Sequence, residues 1–92
     1  MTYMIDLARF IKALENAGIY KFRIDEFDDR LKLQKIVYIA KYFDIDLGYT
    51  FNEYLRGPYS PELANDYYKL NKLWNSDELK DLKPLDDERL KK

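Results

Sequence analysis

Two groups of side chains in this sequence could do chemistry. The first is Arg30, Lys32, Gln34 and Lys35, part of a run to Lys41 that holds four basic residues and no acid. On a helix such a run presents cations to phosphates, and a glutamine among them could reach a base edge. Directly upstream stand Asp25, Glu26, Asp28 and Asp29, which would pair with those cations and leave a plain solvated face. The second group, Tyr54, Arg56 and Tyr59, surrounds Gly57-Pro58. Arginine and tyrosine recur among binding hot spots, so these three predict a protein-contact patch. The competing reading packs Tyr59 under the turn and pairs Arg56 with Glu53 or Glu62.

The residue types that are missing narrow the chemistry further. The 92-residue chain has no histidine and no cysteine. That removes the commonest general base and zinc ligand, thiolate chemistry and any disulfide framework. Asp28-Asp29 lacks the ligand spacing and glycine of a calcium loop, and Asp86, Asp87 and Glu88 read as a solvated tail. No catalytic, cofactor-binding or metal-binding residue is therefore assigned, and the chain reads as non-enzymatic. An enzyme working through carboxylates and tyrosine alone would need a pocket larger than a domain of this size is expected to hold. Nine tyrosines suggest a stacking platform for single-stranded nucleic acid. Tyr38, Tyr42, Tyr49, Tyr54, Tyr67 and Tyr68 are spread over several elements, however, as expected of core tyrosines whose hydroxyls reach water.

Several elements must position these groups. Tyr3, Leu7, Phe10, Ile11 and Leu14 recur at helical spacing and predict a first helix from Thr2 to Ala17, stopped by Gly18. Residues 19–24 place Tyr20, Phe22 and Ile24 on one side, as a short strand or a packed connector. The acidic run then opens a second helix, Asp28 to Phe43, with Leu33, Ile36, Val37 and Ala40 as its core stripe. Tyr38 and Ile39 widen that stripe, so this helix is expected to be central and mostly buried. Residues 49–56 read as extended, with 19–24 as their expected pairing partner. Gly57-Pro58 should swing the chain into a third helix, with Ser60 as its cap and Pro61 at its first position. Leu63, Tyr67, Leu70 and Trp74 form its apolar face, and Ser76 to Leu79 begin a short last helix that ends near Pro84.

The expected fold class is mainly α (α+β): a three- to four-helix domain with a minimal two-stranded sheet, an outline compatible with a winged helix. Residues 1–84 form one domain, and the charged tail 85–92 is expected to fray. The N-terminus does not read as a signal peptide, and no apolar run approaches the roughly 18 residues that span a bilayer. A cytoplasmic, prokaryotic protein is the simplest expectation. A net charge of −1 gives no overall pull toward nucleic acid. High charge with two serines and one glutamine leans toward a heat-adapted source, which five asparagines weaken.

Two stretches, Lys32-Leu33-Gln34-Lys35-Ile36-Val37-Tyr38-Ile39-Ala40 and Tyr54-Leu55-Arg56-Gly57-Pro58-Tyr59-Ser60-Pro61-Glu62-Leu63, together resemble the YwgA-like family. More distantly they resemble the Panacea domain, with its Lys-Leu-Gln-Lys helix and Tyr-Gly-Pro corner. The resemblance covers roughly residues 30 to 70. It implies a regulatory or antitoxin-type module that acts by protein contact. Arg56 departs from the Panacea pattern, and the longer C-terminal region of family members has no counterpart here. The expectation is therefore an adaptor domain that binds an unknown protein partner, with no cofactor. The rival expectation is a winged-helix-like nucleic-acid-binding regulator using Arg30, Lys32, Gln34 and Lys35. An apolar face on the first or last helix could also support a homodimer.

Overall fold

A computed structural model describes residues 2–86. Four helices and one hairpin follow the order α1 (Thr2–Asn16), α2 (Phe27–Ala40), β1 (Asn52–Tyr54), β2 (Gly57–Tyr59), α3 (Pro61–Leu73) and α4 (Asp77–Lys80). This is a mainly helical α+β domain with a two-stranded antiparallel sheet. None of the described helices is long and apolar enough to cross a membrane.

Each helix end has a local cause. Gly18, at φ +72°, ends α1. The Ile19 N–H reaches the Leu14 carbonyl and the Gly18 N–H reaches that of Glu15, at 3.0 Å each, the paired bonds of a Schellman ending. Glu26 and Asp29 form a reciprocal capping box at the start of α2. At the other end a 3-10 turn over Lys41–Phe43 follows, and Asp44 stops the chain at φ 64°. Ser60 caps α3 by accepting the Leu63 N–H at 3.2 Å, with Pro61 in the first turn.

The core joins Leu7, Phe10, Ile11 and Leu14 of α1 to Leu33, Val37 and Ala40 of α2 and to Leu63, Tyr67 and Leu70 of α3. The side chain of Tyr3 lies outside the described residues. Tyr20, Phe22 and Ile24 alternate into the same core without forming a strand. Side chains satisfy this connector instead: the Phe22 N–H donates to Glu15 at 2.8 Å, and Arg30 donates to the Ile24 carbonyl at 2.8 Å. Ile45, Leu47 and Tyr49 of the loop after α2 are also buried, and the Tyr49 hydroxyl donates to Asp66 at 2.6 Å.

Four expectations need correction. The partner of the 52–54 strand is residues 57–59, not 19–24: Asn52 pairs with Tyr59, Glu53 with Pro58 and Tyr54 with Gly57. A two-residue loop closes at little entropic cost, whereas pairing with 19–24 would close a far longer one. Gly57-Pro58 is accordingly part of a strand rather than the corner itself, and the reversal falls on Leu55-Arg56. The second helix is buried on one face only, with Ile39 50% exposed, because only one side meets α1, α3 and the connector. The tail does not begin at residue 85: the Leu85 N–H donates to the Arg9 carbonyl at 2.9 Å, and its side chain packs on the core. The rest of the expected fraying segment, 87–92, lies outside the described residues.

Candidate functional site

The hairpin hangs on α2 through one buried amide. The Gln34 side chain is 1% exposed. Its Nε2 donates to the Ser60 carbonyl at 3.0 Å, and its Oε1 accepts the Ser60 N–H at 2.9 Å. A primary amide completes this two-bond clasp as one planar unit, so it fixes where β2 ends and α3 begins. Gly57, the first residue of β2, leaves the reversal at φ +114°, an angle glycine adopts without a Cβ penalty. Alternation along an antiparallel ladder puts Glu53–Pro58 at a non-hydrogen-bonded pair, where proline lacks nothing.

Held this way, the hairpin faces the first two turns of α2 across an open groove of about 450 Å³. Phe27 and Leu31 make one wall and residues 54–59 the other. Tyr54 and Tyr59 stand edge to face, with centroids 5.4 Å apart and an interplanar angle of 80°. The Arg56 guanidinium lies 5.6 Å from the Phe27 ring centroid, within reach of its negative face. The pairing of Arg56 with Glu53 or Glu62 does not occur; Glu62 accepts from the Ser60 hydroxyl at 3.1 Å instead. Tyr59 is half-buried against the core, as the packing reading required, and still lines the groove.

Tyr54, Arg56 and Tyr59 are therefore brought together on one surface, as their positions around the corner suggested. The sequence reading missed Phe27, Leu31 and Leu55. Phe27 sits inside the acidic run and is 52% exposed, while Leu55 at the hairpin tip is 104% exposed. A leucine where tight turns favour glycine, asparagine or aspartate was the available signal. The expectation that a domain this small holds no sizeable pocket is also corrected, because a three-residue-per-strand hairpin stands off the helix that it crosses.

The basic group is not brought together. Arg30 turns inward to the carbonyls of Ile24 and Asp25, at 2.8 and 3.2 Å. Gln34 is buried and engaged at both ends of its amide, so the expectation that it reaches a base edge is corrected. Lys32 lies over the Tyr20 ring, 5.9 Å from its centroid, and the Lys35 chain runs beside Gly57. Two of the four thus face solvent, at different neighbours. The tyrosines are likewise divided: Tyr49 and Tyr67 are core residues, and Tyr38 and Tyr42 join hydroxyls at 2.9 Å on the surface.

The groove contains no carboxylate among its lining residues and no nucleophile paired with a base. Its surface is aromatic and aliphatic, with one cation at the rim. No family model, curated protein or solved structure matches the chain.

Proposed function

We propose that this chain is a non-enzymatic regulatory or adaptor domain that acts in the cytoplasm by binding another protein through the hairpin groove. One observation carries the reading: Tyr54, Arg56 and Tyr59 converge with exposed Phe27 and Leu55 on one concave apolar surface. Buried aromatic and arginine anchors in a pocket are the usual energetic centre of a protein interface. The resemblance to YwgA-like proteins and Panacea domains points the same way: its second motif supplies residues 54–59 of this surface, and Gln34 of its first anchors Ser60 behind it.

The test compares three immobilised baits in lysate of the native host: the wild type, Arg56→Glu/Tyr59→Ala, and the remote surface variant Lys72→Glu. A protein retained by the wild type and Lys72→Glu but lost by the double variant is the expected result. Circular dichroism checks that the double variant is folded. Retention unchanged in a folded double variant would overturn the assignment of this surface.

A further inference from the structure

We infer that the groove is filled by the hairpin tip of a second copy of this chain, in a two-fold contact that buries Leu55 of each copy against Phe27 and Leu31 of the other. The inference rests on the reading of this face as a contact surface and names an occupant for it. A two-fold interface requires one patch to carry both the projecting and the receiving element. This patch does: Leu55, 104% exposed, projects at the rim of the groove that Phe27 and Leu31 line. The leucine touches no core of its own, and turn chemistry offers no reason for it. Its burial in a partner would explain both the knob and the hollow.

The charges agree with that register. The knob is followed in sequence by Arg56, and the receiving Phe27 is flanked by Glu26 and Asp28. Asp28 is exposed and makes no ion pair or hydrogen bond among the described residues, and Arg56 has only the Phe27 ring. In such a contact Arg56 of each copy exchanges its own Phe27 ring for the Glu26 and Asp28 flank of the other, and symmetry makes the exchange twice. Complementary charges of this kind set register and discourage wrong partners. Because one groove holds one occupant, self-association and capture of a different protein on this face exclude each other. The monomer is then the form that binds the partner.

Sedimentation equilibrium from low micromolar to millimolar chain tests this. The expected mass rises with concentration from 11.2 kDa toward twice that value. Leu55→Asp should stay monomeric throughout while keeping the wild-type circular dichroism, since Leu55 is outside the core. Asp28→Arg and Arg56→Asp should each weaken association about tenfold, each change being felt twice by symmetry. The combined Asp28→Arg/Arg56→Asp variant should regain association. A wild type that stays monomeric at millimolar concentration overturns the inference. So does a dimer that survives Leu55→Asp, or a charge swap that fails to recover. None of these results touches the capture experiment, whose failure would separately remove the adaptor reading.

Discussion

Replacing Gln34 tests whether the clasp between α2 and Ser60 holds the hairpin in place. Gln34→Leu keeps the position buried, with a side chain one atom shorter, and removes both hydrogen bonds to Ser60. The Ser60 carbonyl retains the Ala64 N–H at 3.1 Å, so the Ser60 N–H is orphaned in a residue that is 0% exposed, and the Tyr67 hydroxyl loses its contact with the Gln34 amide. A buried donor left without an acceptor costs about 1–3 kcal/mol. Added apolar burial offsets little of this, so a loss of about 2 kcal/mol is expected. In a domain of this length that lowers the melting temperature by about 8–16 °C. Urea unfolding followed by far-ultraviolet circular dichroism measures it.

Gln34→Glu sharpens the test through pH. A carboxylate at this site can accept the Ser60 N–H but cannot donate to the Ser60 carbonyl, whereas the protonated acid does both. Burial and the facing carbonyl therefore raise the folded-state pKa above the unfolded value of about 4.3. As pH rises through that value the unfolded chain releases the proton first. The deficit relative to wild type is then small below about pH 4 and grows as pH rises toward the folded pKa. A Gln34→Leu midpoint within about 0.5 kcal/mol of wild type, the range of an ordinary surface change, would refute the clasp argument. A Gln34→Glu deficit independent of pH would refute it equally.

Other outcomes follow from the same structure. Gly57→Ala meets only an ordinary contact, 3.7 Å to the Lys35 chain, so its expected cost of about 1–2 kcal/mol in urea unfolding comes from φ +114° alone. The Tyr20 phenol is pushed up to about 12 by burial, and its oxygen has no hydrogen-bond partner among the described residues. The Tyr20 contribution to stability should therefore be constant below about pH 10 and fall between about pH 10 and 12, where only the unfolded phenol is ionised. Tyr20→Phe should match or exceed wild-type stability at neutral pH and flatten that alkaline decline, both read from unfolding curves. With Arg30 and Gln34 engaged inside the protein, labelled duplex DNA titrated at low salt should show no sub-micromolar binding by fluorescence anisotropy. Tight binding that weakens steeply with salt would reinstate the basic helix as an interface.

The sequence alone determined what depends on near neighbours along the chain. Gly18 ends α1, the acidic run opens α2, and Ser60 with Pro61 starts α3, because capping and positive φ are decided within a few residues. The apolar stripes of α1 and α3 were legible for the same reason. So was the gathering of Tyr54, Arg56 and Tyr59, which lie within six residues of one another. Tertiary structure decided what depends on distant partners. Gln34 sits among lysines and reads as solvated, yet Ser60, 26 residues away, supplies both halves of a buried amide's hydrogen bonding. Residues 19–24 alternate like a strand, but the alternation only recorded burial of one side. Their backbone groups went to Glu15 and Arg30, while the strand at 52–54 took the partner that directly follows its own two-residue turn. Phe27, which short-range logic spends on a helix entry, became a wall of the groove only when the hairpin came to rest across it.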